Sequence, residues 1–385
     1  MNYPVIKLAS LTLAGVALST SVALAQVKLP PTVTMTAYDT GTSGFNITVA
    51  IGKMMKDKYG ADVRVLPAGN DVARLQPLRA GRATLSAMGA GVFFAQEGVF
   101  EFATKEWGPQ PVQITLTTVD CNGLSLGVAK DTGVKTIADM KGKRVAFVVG
   151  SAALNQNALA MLAFGGLKQS DVKIVEFASN NAMWKGMINN DVDAAFGSTI
   201  SGPAKEMETS PRSLVWPPLP PEDKAGWERV KKVGPFFTPH ATTCGAGISK
   251  DKPLQLGTYP YPIYSVYANQ PDDEVYMLTK AMIEGYDAYK DGAPGASGMA
   301  VKQQTKNWSV PVHKGAVKAL KEAGAWSDDQ EKFNNDLVKR QQLLIAAWTD
   351  FNKANPPADA AKFNEEWMKA RKTALAKNNL PDFLN

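Results

Sequence analysis

The sequence predicts an α/β fold built from two successive blocks of parallel strands and helices. Three observations lead there. Strand-like runs alternate with helical periodicities over residues 32–88, the alternation restarts near residue 123, and glycine-bearing loops stand where strands hand over to helices. In the first block, residues 32–37 alternate with a period of two, and 39–44 break the pattern with turn and capping residues. Residues 45–59 carry Ile47, Ile51, Met54 and Met55 on one helical face. A second strand spans 63–66. The turn at 67–71 then opens a helix through Val72, Leu75 and Leu78 that stops at Gly81. The third strand, 83–88, ends at Gly89-Ala90-Gly91. Strand, glycine loop, helix, strand is the grammar of a parallel sheet.

The second block opens with a strand at 124–129 and a short capped helix at 136–140. A strongly apolar strand at 144–149 leads through Gly150-Ser151-Ala152 into a helix over 155–164. Strand 172–177, helix 180–188 and strand 192–196 complete it, ending at Gly197-Ser198-Thr199. The proline-dense stretch 211–221 reads as a loop. Extended runs return at 263–268, and from Pro271 the pattern is helical. Phe333, Leu337, Leu344, Trp348 and Phe351 share one helix face, and Phe363 and Trp367 begin another after Pro356-Pro357. Aromatic stripes of this kind are core packing rather than a cofactor box. No third α/β block follows the second. The expected division is therefore 26–120 plus about 245–325 as lobe one, 121–244 as lobe two, and 326–385 as a helical extension packed on lobe one.

Composition removes several function classes. Lys+Arg 42 against Asp+Glu 36 gives a net charge of +6, with no block of five like charges, so a nucleic-acid partner is not expected. Two histidines and two cysteines nearly exclude a zinc or iron centre built from side-chain N and S ligands. Carboxylate-bound Ca²⁺ or Mg²⁺ survives this count, though no EF-hand spacing appears, and neither metal nor cofactor is expected. Residues 1–25 read as a secretory signal: Lys7, an apolar stretch over 8–24, and the small-x-small string Ala23-Leu24-Ala25 before Gln26. Export to the periplasm permits a disulfide, and Cys121 with Cys244 is the candidate pair, two separate buried thiols being the alternative.

In an open parallel sheet, ligands bind beyond the carboxyl ends of the strands, where loops lead into helix N-termini. Four loops qualify: 39–44, 67–71, 88–91 and 149–155. Glycine there lets backbone approach a ligand, hydroxyls add adaptable hydrogen bonds, and free N–H groups favour an anion. Each loop taken alone reads better as an ordinary βα turn with capping residues. Thr40, Gly41, Thr42, Ser43, Asn70, Arg74, Gly89, Ser151 and Ser198 are the expected lining of one cleft, since each sits at or just beyond a strand's carboxyl end. Arg74, one turn into its helix, is placed either to clamp a carboxylate bidentately or to face solvent.

Sharper motifs fail. No phosphate-binding G-x-x-x-x-G-K-[ST] string occurs. Gly123-Leu124-Ser125-Leu126-Gly127 matches the G-x-S-x-G hydrolase string, which needs a strand-to-helix turn, whereas Ser125 lies within a strand-like run. His240 and His313 are the only candidate bases, and both read as structural. An exported serine hydrolase is kept as the competing enzyme reading; the chain is otherwise expected not to be an enzyme.

Several strings resemble the TAXI subgroup of solute-binding proteins, which serve tripartite ATP-independent periplasmic (TRAP) transporters. They are Thr40-Gly41-Thr42-Ser43-Gly44-Phe45, Ala68-Gly69-Asn70, and Leu75-Gln76-Pro77-Leu78-Arg79-Ala80-Gly81. Further matches run from Ile137 through Arg144-Val145, at Gly150-Ser151, over 190–196, and at Val310-Pro311-Val312-His313-Lys314-Gly315-Ala316. The resemblance covers nearly all of 33–325. It implies a two-lobed, Venus-flytrap (type II-like) periplasmic binding-protein fold that traps a small anionic solute between its lobes and delivers it to membrane permease subunits. Glutamate-like amino acids, keto acids and dicarboxylates are the implied solutes. A module that presents ligand to a membrane sensor uses the same capture chemistry. Met88-Gly89-Ala90-Gly91 stands where the family has a polar Ser-Asp pair, and the tail past about 325 outruns the family's usual end.

Overall fold

The computed structural model describes residues 27–304 and 309–384; the signal sequence expected over 1–25 lies outside them. In chain order the first lobe opens with β1 (Thr32–Ala37), α1 (Ser43–Tyr59), β2 (Asp62–Pro67), α2 (Asp71–Arg79), β3 (Leu85–Met88), α3 (Gly91–Glu97) and β4 (Val112–Thr117). The chain then crosses to β5 (Leu124–Ala129), β6 (Arg144–Val148), α4 (Ala152–Phe164), β7 (Lys173–Phe177), α5 (Asn180–Ile188) and β8 (Ala194–Ser198). Next come α6 (Gly202–Thr209), β9 (Leu214–Val215), α7 (Lys224–Val233), β10 (Thr238–Thr242) and β11 (Leu254–Thr258). It returns through β12 (Ile263–Tyr267) to α8 (Asp272–Glu284), α9 (Tyr286–Tyr289), α10 (Lys314–Glu322), α11 (Asp328–Lys353) and α12 (Ala360–Lys377).

Two sheets form the lobes' cores. The first has strand order β2-β1-β3-β12-β4, with β1 parallel to β2 and β3, and β12 antiparallel to β3 and β4. The second runs β10-β11-β5-β8-β6-β7, with β9 on β5. Its parallel pairs are β6 with β7 and β6 with β8. Because β10 and β11 form an antiparallel pair in the second sheet, the return crossing lies at 259–262 and not near 245. Pro239 and Gly257 interrupt the apolar alternation that marks the other strands, so this hairpin is hard to read locally. Cys121 and Cys244 are disulfide-bonded beside this crossing, with Cα atoms 5.5 Å apart.

Local sequence explains the element starts and stops. The Thr42 side chain accepts from the Phe45 amide to cap α1, and Gly60 ends that helix at φ 72°. Asn70 caps α2 through Ala73 N–H. Helix α4 begins at Ala152, three residues before the expected start. Its first turn has no side-chain cap from its own segment, because its partners come from the other lobe.

Helices α11 and α12 pack together and against α3. Trp348, Phe351, Phe363 and Trp367 form one aromatic cluster with centroids 4.8–6.0 Å apart. Glu97, fully buried at the end of α3, accepts two hydrogen bonds from Arg340 (2.7 and 2.8 Å) and another from Arg371. Trp367 donates to the Gly98 carbonyl at 2.7 Å.

Candidate functional site

The loops after β1, β2 and β3 face those after β6, β7 and β8, all at strand carboxyl ends. They meet in direct contact. Gly202 N–H donates to the Gly41 carbonyl (3.0 Å), and Asn181 donates to Asp39 Oδ2 (2.9 Å) and to the Thr40 carbonyl (3.1 Å). Asn180 N–H reaches the Gly69 carbonyl (3.3 Å), and Asp71 N–H reaches the Gly150 carbonyl (3.1 Å). The lobes are closed.

One side chain does most to hold them. Asp71 is fully buried and pairs through Oδ1 with Arg74, which is also fully buried. Its Oδ2 accepts across the gap from Ala153 N–H (2.8 Å) and Ser151 Oγ (3.2 Å) at the start of α4. Ala152 N–H bonds to Glu101, a second lobe-one carboxyl at the same helix end. Burial, reinforced by the Asp71 charge, lifts the Glu101 carboxyl to about 7. Two carboxyls from one lobe thus cap a helix N-terminus of the other, where the macrodipole favours negative charge.

Inside the closed interface lies a cavity of about 30 Å³, room for roughly two waters. A solute of several heavy atoms therefore enters only when the lobes part. Its polar lining is Thr42, Ser43, Asn157, Asn180, Ser198 and Ser201. Apart from Ser198, which ends β8, these residues cap or open α1, α5 and α6 or project from the first two turns of α4, so four helix N-termini from both lobes converge on it. Its apolar walls include Tyr38, Trp184, Phe196, Tyr259 and Tyr261. Burial raises all three tyrosine hydroxyls, Tyr261 to about 12, so they act as neutral hydrogen-bonding groups. Asn157 Nδ2 donates to Tyr259 Oη at 3.0 Å, while Asn157 Oδ1 is buried without a partner.

Of the expected residues, Thr42, Ser43 and Ser198 line the cavity. Gly89 backs it: a Cβ there would come within 2.7 Å of the Tyr38 hydroxyl and 3.0 Å of that of Tyr259. Thr40 and Gly41 contribute carbonyls to the lobe contact, Asn70 caps its helix against Gly150, and Ser151 holds Asp71. Arg74 takes neither expected place. It pairs with Asp71, donates to the Ala68 carbonyl (3.1 Å) and stacks on the Tyr38 ring at 3.4 Å. A short acid one helical turn before an Arg is the signal that could have found this pair. Tyr259 and Tyr261 offer only the string Tyr259-Pro260-Tyr261-Pro262 as a signal, and Tyr38 only its place just after β1. Asn157, Asn180 and Trp184 sit within helices, where sequence pattern reads them as ordinary helix residues.

Ser125 is inside β5, fully buried, with no strand-to-helix turn around it. His313 caps α10, its Nδ1 accepting from Gly315 N–H. Among the described residues no cluster of three His, Cys, Asp or Glu could hold a metal, and no helix is long and apolar enough to cross a membrane.

Solved structures similar to this chain include the alkanesulfonate-binding protein SsuA from Xanthomonas axonopodis pv. citri bound to MOPS, at 16% identity over 82% of this chain and 95% of that one, TM-score 0.40. A binding protein component of an ABC phosphonate transporter from Pseudomonas aeruginosa matches at 16% over 91% and 97%, TM-score 0.42. The amino acid ABC transporter substrate-binding protein AbpA from Streptococcus pneumoniae, bound to L-arginine, matches at 13% over 81% and 96%, TM-score 0.39. The model of the NMT1-like family matches residues 35–324, from β1 to the end of α10, and the chain belongs to that family.

Proposed function

We propose that this protein is an exported, periplasmic solute-binding protein that captures a small carboxylate between its lobes and delivers it to the permease of a TRAP-type transporter. The convergence of four helix N-termini on one interlobe cavity carries the reading. The groups that α1, α5 and α6 present to the cavity are uncharged hydroxyls and amides. Asp71 and Glu101 already meet the start of α4, and Asp39 accepts from Asn181 at the start of α5, so the remaining N–H groups and the macrodipoles are the anion-favouring elements. A carboxylate held by two or three such termini from both lobes would bridge them, and binding would then favour closure. Arg74 supports this site from behind, through Tyr38 and Asp71, rather than as the clamp. The signal-like residues 1–25 and the TAXI-like strings at 40–45 and 310–316 support export and the TRAP partner.

Thermal-shift screening of the exported protein against carboxylates tests the reading. A true solute at about 100 times its dissociation constant adds roughly 2.7 kcal/mol of stability. No response to any carboxylate, with a response to neutral or cationic solutes, would remove the anion from the account.

A further inference from the structure

We infer that the solute is a monocarboxylate with a ring-shaped apolar body and no ammonium group, a hydroxylated aromatic acid fitting best. This rests on the carboxylate reading above and narrows it. The first support is the wall. Tyr38 and Tyr261 pack edge to face at 5.5 Å, as do Tyr259 and Tyr261 at 6.4 Å. Across the seam, Trp184 lies against the backbone of Gly197, where a Cβ would come within 2.7 Å of the indole. A flat ring entering as the lobes part would meet aromatic surface contributed by both sides, with edge and face contacts of the kind rings prefer.

The second support is what the wall lacks. Among the described residues no Asp or Glu lines the cavity, so an α-ammonium group would lose its water and find no carboxylate. That sets the site against glutamate and other zwitterions. No Lys, Arg or His lines it either. Helix termini can hold one carboxylate, but a second would be buried without a cation, since Arg74 is committed to Asp71 and Ala68. Dicarboxylates are disfavoured for that reason.

Asn157 supplies the finer discrimination. It is 1% exposed, its Nδ2 is used by Tyr259, and its Oδ1 is an acceptor with no partner. A buried acceptor needs a hydrogen-bond donor, and a hydroxyl on the solute ring, taking the place of cavity water, would supply one.

Calorimetric titration of the exported protein with 4-hydroxybenzoate, benzoate, benzamide, L-glutamate and succinate tests this. Both aromatic acids should bind at least tenfold tighter than L-glutamate and succinate, with 4-hydroxybenzoate about tenfold tighter than benzoate. In Asn157→Leu that last ratio should fall to near one. Equal affinities of the two aromatic acids for the unmodified protein would overturn the role of Asn157. L-Glutamate or succinate binding as tightly as the aromatic acids would overturn the ring-acid class while leaving carboxylate capture standing. Benzamide matching benzoate would overturn carboxylate capture itself, and no binding of any of the five would overturn both.

Discussion

Asp71 and Glu97 are both fully buried carboxylates paired with buried arginines, yet they join different things. Asp71 keeps Arg74 on its own helix and spends its second oxygen across the lobe gap, on Ser151 and Ala153. When the lobes part, water can replace those two donors while the Arg74 pair survives. Glu97 has no such exit. Its partners Arg340 and Arg371 belong to the C-terminal helices, which stay packed on lobe one, and Arg371 reaches on to Asp382 at 2.6 Å. The same ionic chemistry makes a reversible latch where one oxygen faces a moving surface, and a permanent anchor where every partner lies in one body.

Breaking the anchor should have the largest effect. Glu97→Gln leaves two buried guanidinium groups short of charge and should cost about 3–5 kcal/mol, read by urea unfolding. An unchanged unfolding midpoint would mean that the extension is not part of lobe one's core. Reducing the Cys121–Cys244 bond, which closes a loop of 123 residues, should cost roughly 2–5 kcal/mol in the same assay. Neither change should alter solute specificity.

The latch should respond in another observable. Ser151→Ala, which removes one donor to Asp71 across the gap and leaves the Arg74 pair intact, should weaken closure by about 1.5–3 kcal/mol, the worth of a hydrogen bond to a charged acceptor. Small-angle scattering should then show a larger radius of gyration without solute. A fall in global stability as large as that of Glu97→Gln, with no change in radius, would make Asp71 a second anchor.

The smallest effect is on pH dependence. Glu101 is lifted to about 7 in the closed state by burial and the Asp71 charge, above its usual carboxylate range. A raised carboxyl favours the state that holds its proton. Closure should therefore be strongest below about pH 4.5 and weaken as pH rises through about 7. Interlobe fluorescence transfer over pH 5–8 should show this slope, and Glu101→Gln should flatten it.

The βα units of both sheets were legible because they carry local signals: period-two runs, Thr42 and Asn70 as caps, and glycines where strands end. The aromatic stripe of the extension was legible for the same reason, since Trp348, Phe351, Phe363 and Trp367 keep helical spacing. What stayed hidden depends on contacts distant in the chain. The start of α4 is capped by Asp71 and Glu101 rather than by a neighbour, so no local cap marks it. Arg74 reads as a free cation until the fold places Asp71 beneath it. The β10–β11 hairpin, whose strands pair over Thr238–Thr242 and Leu254–Thr258, left the return crossing misplaced by some fifteen positions.

If the proposed function holds, one solute is gripped by helix N-termini of both lobes at once. Hydrogen exchange on the protein, with and without a carboxylate that raises its melting temperature, tests it most directly. The account predicts added protection in 42–45 of lobe one together with 152–154, 180–182 and 201–204 of lobe two. Protection confined to one lobe, or confined to the C-terminal helices, would contradict it.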